Sequence, residues 1–189
     1  MRSIALRTRQ RSRSATRRGF TLIESAVAVV IVGTGVLALV AAQQAWHSQN
    51  AWAERAAIGA RLGNEIREMT FDCPRHDPVT GASGWGPETN ELDILDYDDL
   101  DDFDGTLGLG LVLSGADGSG PVNALREVIP GMSEWTQTIR VYNVDPTNVN
   151  IDVGDAASNL MRVDVTIDWH GPSAAEPTTV TRVTWIAPK

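Results

Sequence analysis

The chain contains few of the residues that build disulfides and metal centres. Its 189 residues include one cysteine, Cys73, and three scattered histidines, His47, His76 and His170. A single cysteine excludes an intramolecular disulfide and a multi-cysteine zinc site, and the scattered histidines argue against a histidine-based metal centre. The sequence also lacks the motifs of zinc proteases, serine hydrolases, P-loop NTPases and dinucleotide-binding enzymes. We therefore do not expect an enzyme.

Basic residues are scarce beyond the N-terminus. The net charge is −8, but residues 1–19 hold seven arginines and no acid, which leaves 9 basic and 24 acidic residues and a charge of −15 for residues 20–189. Such an acidic chain is repelled by phosphate backbones, so we expect no nucleic-acid binding by the folded part. The apolar fraction of 42% is close to the globular average and, at this length, predicts one globular core.

Formal charge is absent from Ser25 to Ala53, and the stretch from Ala26 to Ala42 is almost wholly apolar. A helix from Phe20 to Ala42 would be roughly 35 Å long, enough to cross a hydrocarbon core of about 30 Å. By the positive-inside rule, the arginine-rich start stays cytoplasmic. The sequence therefore predicts a single-pass membrane protein in contact with membrane lipid, with everything after Ala42 on the far side of the membrane from the cytoplasm.

A cleaved secretory signal peptide is the alternative interpretation of the same segment. It would require a small-residue cleavage site after the apolar stretch. Here that stretch continues into Gln43-Gln44-Ala45-Trp46 without a turn-forming break. An uncleaved membrane anchor therefore fits the pattern better.

Glu24 is a lone carboxylate at the start of the apolar stretch, where an unpaired charge costs several kcal/mol. The run Arg18-Gly19-Phe20-Thr21-Leu22-Ile23-Glu24 resembles the cleavage and methylation motif of type IV prepilins. The resemblance implies that prepilin peptidase cuts between Gly19 and Phe20 and methylates the new amine of Phe20. It also implies that Glu24 pairs with the N-terminal ammonium of a neighbouring subunit during filament assembly. The alternative is an interfacial carboxylate that only reaches the lipid headgroups.

The pattern divides the chain into a leader peptide at 1–19, a transmembrane half-helix at 20–42, an amphipathic half-helix at 43–73 and a globular head at 74–189. Pro74 ends the predicted helix near residues 70–73. Apolar residues recur along its second half mostly every three or four positions, which predicts one buried face. That face contains Ala51, Ile58, Leu62, Ile66 and Met69.

The head carries strand patterns after an irregular stretch at 74–105. Apolar and polar residues alternate best over Met161–Trp169, with further predicted strands at Trp135–Val144 and Thr178–Ile186 and a glycine-weakened one at Leu107–Leu113. A hairpin loop at 171–177 is expected between the last two. These elements predict an α+β fold, a long helix packed on a small antiparallel sheet. The resemblance to pilins implies the same architecture.

Seven aspartates crowd into residues 93–104, which we call the acidic segment. They are Asp93, Asp96, Asp98, Asp99, Asp101, Asp102 and Asp104. Calcium suits such oxygen-only ligands, although the spacing does not match an EF-hand loop. The candidate calcium ligands are Asp98, Asp99, Asp101, Asp102 and Asp104. A solvated acidic loop is the alternative.

Residues 97–105 are also similar to an aspartate-rich motif of minor pilins of the mannose-sensitive haemagglutinin type. Together with the N-terminal motif, this resemblance implies a minor pilin or pseudopilin of a type IV pilus or a type II secretion-like filament. The implied partners are prepilin peptidase, other pilins or pseudopilins, and an inner-membrane assembly platform with its ATPase. The rival hypothesis is a membrane-anchored receptor domain that binds calcium or another ligand and never polymerises.

Overall fold

The computed structural model describes residues 19–79, 81, 84–172 and 176–187. The predicted leader up to residue 18 and part of the predicted hairpin loop at 171–177 lie outside these ranges. Within these ranges the structure has one α-helix and five strands, which confirms the α+β class. The elements are α1 (Leu22–Thr70), β1 (Leu111–Ser114), β2 (Trp135–Asp145), β3 (Asn148–Asp152), β4 (Met161–Trp169) and β5 (Thr178–Ile186).

Helix α1 belongs to two compact units, one that ends at Ser48 and one that covers Gln49–Lys189. In the first unit the helix is exposed along its whole length, and its side chains are mostly apolar. By length and composition, this helix is able to cross a membrane. The first unit therefore has the properties of a membrane span.

In the second unit, α1 packs one face against the sheet. Leu62, Ile66 and Met69 are buried there, as the periodicity predicts, while Ala51 and Ile58 are half-buried. The helix ends at Thr70, whose hydroxyl donates to the carbonyl of Ile66 at 2.9 Å. This face forms one wall of the hydrophobic core.

Two buried glycines let the helix approach β5 closely. A Cβ added at Gly63 would lie 2.5 Å from Cγ2 of Val183, and one at Gly59 would lie 2.8 Å from Oγ1 of Thr181. Both distances are too short for a methyl group without displacement of the neighbouring side chain. The missing side chains at these positions therefore set the spacing between helix and strand.

The sheet is antiparallel, with strand order β1-β2-β4-β5, and β3 pairs with the end of β2. In its centre, Ile139 lies opposite Val165 and Val141 opposite Val163. All four side chains are at most 1% exposed and face the core. The strands predicted near 135–144, 161–169 and 178–186 are confirmed.

The start of β1 was wrongly predicted. The strand begins at Leu111 rather than at Leu107, because a 3₁₀ turn occupies Thr106–Gly108 and Gly108 and Gly110 adopt positive φ angles of 63° and 90°. Such angles do not occur in a regular extended strand, and glycine adopts them at less steric cost than other residues. Strand β3 was not predicted, although Val149 and Ile151 alternate there with polar residues; all five of its residues are exposed.

Gln137 has a fully buried side-chain amide that connects strand β2 with helix α1 and with Val122. Its Nε2 donates to the carbonyl of Leu62 in α1 at 3.0 Å and to that of Val122 at 3.1 Å. Its Oε1 accepts a hydrogen bond from the backbone N–H of Val122 at 2.8 Å. Because buried polar groups must be hydrogen-bonded, this side chain fixes the position of Val122 relative to the sheet and the helix.

Candidate processing and cation-binding sites

The predicted cleavage position precedes the first turn of α1. Gly19, Phe20 and Thr21 are non-helical and exposed, and Phe20 has 82% of its surface accessible. The peptide bond between Gly19 and Phe20 is therefore not held within a hydrogen-bonded helix. This geometry leaves the bond open to a peptidase, which needs an accessible, extended backbone.

Glu24 and Thr21 form a reciprocal cap at the helix start. The backbone N–H of Glu24 donates to Oγ1 of Thr21 at 3.3 Å, and the backbone N–H of Thr21 donates to Oε2 of Glu24 at 3.2 Å. This is a capping box, which satisfies two backbone donors that a helix N-terminus otherwise leaves without partners. Thr21 was not singled out from the sequence, although its spacing of three from a glutamate is the usual signal.

The charge of Glu24 also suits its position on the helix. A carboxylate in the first turn is stabilised by the partial positive charge at the helix N-terminus, typically by about 0.3–1 kcal/mol. Both the backbone N–H and the hydroxyl of Thr21 donate to Oε2 of Glu24. The cap therefore fixes the carboxylate at the start of the apolar stretch in a defined orientation.

The acidic segment is anchored by apolar side chains placed between its aspartates. Tyr97, Leu100 and Phe103 are at most 8% exposed, and the rings of Tyr97 and Phe103 meet edge to face at 5.5 Å. The guanidinium of Arg126 donates to the carbonyls of Ile94 and Tyr97 at 2.8 and 2.6 Å. These contacts draw part of the acidic segment into the protein rather than leaving all of it in solvent.

Asp102 is the most enclosed carboxylate of this region, with 1% of its surface exposed. Its Oδ2 accepts hydrogen bonds from the backbone N–H groups of Asp98 and Asp99 at 3.0 and 3.1 Å. Its Oδ1 is shielded from solvent and accepts no hydrogen bond in the described part of the chain. An acceptor in that state is costly unless a proton or a cation lies beside it.

Two glutamates outside the acidic segment approach Asp102. Carboxylate oxygens of Glu88, Glu91 and Asp102 lie within 4.8 Å of one another, as do those of Asp98, Asp99 and Asp102. Glu91 is 8% exposed and its Oε2 accepts from the backbone N–H of Glu88 at 3.0 Å. The sequence did not indicate these glutamates, because their proximity depends on the folded path of residues 74–105.

The structure gives Asp101 and Asp104 different partners. Oδ2 of Asp101 lies 3.3 Å from Nδ1 of His76. Asp104 accepts from Nε1 of Trp85 at 3.2 Å, from Nε of Arg140 at 3.3 Å and from the backbone N–H of Val141 at 3.1 Å. Neither belongs to the two sets of converging carboxylates, so of the five predicted calcium ligands the structure brings together Asp98, Asp99 and Asp102.

Burial disfavours the ionised state of these carboxyl groups. It raises the pKa of Asp99 to about 8, with the neighbouring Asp101 carboxyl adding to the shift. It also raises the pKa of Asp101 and of Asp102 to about 6 each. The pKa of Glu91 is raised as well, first by burial and then by the nearby Asp102. Without a cation, the region is an electrostatically unfavourable group of acids.

Comparison with known proteins bears on the N-terminal segment. The family model described as the prokaryotic N-terminal methylation motif matches residues 14–40. With the long apolar helix, this match fits a type IV pilin-like family. No curated protein and no solved structure matches the chain. Proteins with the pilin motif are generally structural rather than enzymatic.

The sequence predicts the processing site more fully than the cation-binding site. Gly19, Phe20 and Glu24 are close neighbours, and the matched motif contains all three. The converging acids are able to bind a metal ion as a group of oxygen ligands. Glu88 and Glu91 were recognised only in the folded structure.

Proposed function

We propose that the protein is a minor pilin or pseudopilin, a structural subunit that prepilin peptidase processes and that then enters a type IV pilus or a type II secretion-like filament. The observation that carries this proposal is the methylation-motif match at residues 14–40, which overlaps an exposed Gly19–Phe20 bond and a capped apolar helix. Cleavage there removes the arginine-rich leader and leaves Phe20 as the N-terminal residue. Methylation modifies its new amine.

Glu24 is proposed to guide assembly by charge pairing. In the mature chain, Glu24 is an anion at the start of an apolar helix, in a setting where unpaired charge is penalised. The ammonium of Phe20 on a neighbouring subunit is the matching cation, and opposite charges attract strongly in a medium of low dielectric constant. The pairing favours one axial register between adjacent helices.

The proposed role also defines the membrane topology and the partners of the subunit. Before assembly the subunit spans the inner membrane once, with its N-terminus in the cytoplasm and its head in the periplasm. Its partners are the peptidase, other pilins or pseudopilins, and an assembly platform with its ATPase. The protein acts as a structural subunit of the filament, and this role needs no catalytic centre.

The capping box provides variants that separate the charge of Glu24 from its role in the helix. Glu24→Gln removes the charge but keeps an acceptor that can cap the helix, Thr21→Ala removes a cap partner but keeps the charge, and Glu24→Ala removes both. Each variant would be expressed in native cells that lack the wild-type copy. The readout is the processed fraction recovered in sheared filaments or cross-linked to other pilins, relative to the processed fraction in the membrane.

We expect all three variants to insert in the membrane. Incorporation should fall strongly in Glu24→Ala and Glu24→Gln, and little in Thr21→Ala, because only the charge pairs with the neighbouring subunit. Wild-type incorporation of Glu24→Gln would reject the pairing role and leave Glu24 as a helix cap.

The second candidate is a membrane-anchored receptor domain that binds calcium or another ligand and does not polymerise. The converging carboxylates around Asp102 are the observation that favours it. Such a receptor would tolerate Glu24→Ala and would not cross-link to pilins. Calcium binding alone does not decide between the two candidates, because a filament subunit can also bind a cation.

A further inference from the structure

The carboxylates of Glu88, Glu91 and Asp102 form a compact group with the dimensions of a cation shell. Their oxygens lie within 4.8 Å of one another. Calcium binds oxygen at about 2.3–2.6 Å, so two ligands on opposite sides of the ion are about 4.6–5.2 Å apart. All three oxygens can therefore contact one calcium ion without a large movement of the chain.

A second observation, independent of the crowding of acids, points to a missing ligand. Among the described residues, no donor bonds to the enclosed Oδ1 of Asp102. A carboxylate oxygen of Glu91 lies within 4.8 Å of one of Asp102. Two ionised carboxylates cannot bond to each other directly. A bridging proton or a bridging cation is needed between them.

The basic side chains near Asp102 and Glu91 do not act as the bridging cation. Among the described residues, no ion pair joins Glu91 or Asp102 to a lysine, arginine or histidine. Arg140 pairs with Asp104, and the guanidinium of Arg126 donates to backbone carbonyls. The negative charge at Asp102 and Glu91 is thus not offset by a nearby basic side chain.

We propose that Glu88, Glu91 and Asp102 bind one calcium ion, with Asp102 as the central ligand. Each carboxylate supplies at least one oxygen, and water completes the six- to eight-fold shell that calcium accepts. The ion joins the 88–91 turn to the 3₁₀ turn at Asp101–Asp104, within a stretch that has little regular secondary structure. Calcium binding therefore orders this face of the head.

The proposed ligands share only Asp102 with the five aspartates that the sequence indicates. Asp98 and Asp99 lie on the Oδ2 side of Asp102, where their backbone N–H groups occupy that oxygen. Asp101 and Asp104 contact His76 and Arg140. The two glutamates supply ligands that the aspartate-rich motif does not contain.

Thermal unfolding of the full-length protein in mild detergent tests the proposal, with calcium chloride added to chelator-treated protein. We expect the melting temperature to rise by about 5–10 °C at a hundredfold excess over the dissociation constant. Magnesium should give a much smaller shift, because it requires a tighter octahedral shell. No shift at about 10 mM calcium would overturn the proposal, since even weak extracellular sites bind at about 10⁻⁴–10⁻³ M.

Asp102→Asn and Glu91→Gln test the ligands, with Asp96→Asn as the matched control. Asp96 is an exposed aspartate of the same segment, and an asparagine there can still accept the hydrogen bond from Leu92. Asp102→Asn likewise keeps an acceptor for Asp98 and Asp99. We expect the two ligand variants to lose the calcium shift and Asp96→Asn to keep it in full.

Melting temperatures in calcium-free buffer distinguish a variant that has lost a calcium ligand from one that fails to fold. Without calcium, Asp102→Asn and Glu91→Gln should melt no lower than the wild type, because each removes one of several crowded negative charges. Calorimetry of the wild type should give one calcium ion per chain. A calcium shift that survives Glu91→Gln but disappears in Asp98→Asn would overturn the assignment and place the ion on the other side of Asp102. These results are independent of processing, since Gly19, Phe20 and Glu24 lie in the other unit of the chain.

Discussion

Replacing Gln137 by leucine should destabilise the head markedly, although the two side chains have similar volumes. The substitution leaves the buried N–H of Val122 without an acceptor and removes the donor that serves the carbonyls of Leu62 and Val122. A buried polar group left without its partner costs about 1–3 kcal/mol. The carbonyls lose less than the N–H, because each has a second lone pair. We therefore expect a total loss of about 2–4 kcal/mol.

Thermal unfolding of full-length protein in detergent, followed by tryptophan fluorescence, measures this loss. For a domain of this size, about 2–4 kcal/mol corresponds to a melting temperature lower by roughly 5–15 °C. Thr138→Val is the matched control, because Thr138 is the half-buried neighbour of Gln137 on the same strand and valine keeps its shape. If Gln137→Leu melts within about 1 °C of that control, the buried amide does not hold the head together as argued.

Two further predictions concern packing and charge. Gly63→Ala should lower the melting temperature, because the new Cβ would lie 2.5 Å from Cγ2 of Val183. Overpacking of this kind typically costs about 1–3 kcal/mol. The gain in helix propensity from glycine to alanine is smaller, roughly 1 kcal/mol. The exposed neighbour Asn64→Ala serves as its control, and equal stability of the two variants would mean that the helix does not depend on this close approach. In calcium-free buffer, the head should become more stable as the pH falls from about 8.5 to 5.5. The pKa values of Asp99 and Asp102 are raised in the folded state, so the folded protein holds protons that the unfolded chain releases. This stabilisation is complete below the ordinary aspartate pKa and is lost as the pH rises through about 6 to 8, so a flat or opposite profile would show that these acids are not desolvated.

Periodicity predicts the large elements of this fold well. Burial follows the expected repeat in the second half of α1 and along the strands β2, β4 and β5. Such stretches carry their own signal, because each apolar residue on the inner face adds to the same pattern. The buried residues of β4, from Met161 to Ile167, alternate as predicted.

Short and strained elements carry no comparable signal. Strand β3 has only five residues, and its two apolar ones, Val149 and Ile151, are exposed, so their alternation with polar residues is a short signal without a buried face. The start of β1 depends on the positive φ angles of Gly108 and Gly110, which redirect the chain before the strand begins. At the start of β1, local backbone geometry rather than side-chain pattern determines the structure.

The burial of the acidic segment was the largest departure from a sequence-based view. A solvated loop is the simple expectation for seven aspartates in twelve residues. Instead, the intervening Leu100 and Phe103 enter the core and bury Asp99, Asp101, Asp102 and Asp104 beside them. The approach of Glu88 and Glu91 arises from the folded path of the chain, which residue spacing does not encode.

We infer that the chain is made as a prepilin and is cut between Gly19 and Phe20. Intact-mass spectrometry of the protein purified from native membranes tests it most directly. We predict a mass that corresponds to residues 20–189 plus one methyl group, with the methyl on the N-terminal amine of Phe20. A protein that retains residues 1–19 in cells with active prepilin peptidase, or one that starts after residue 42, would contradict the account.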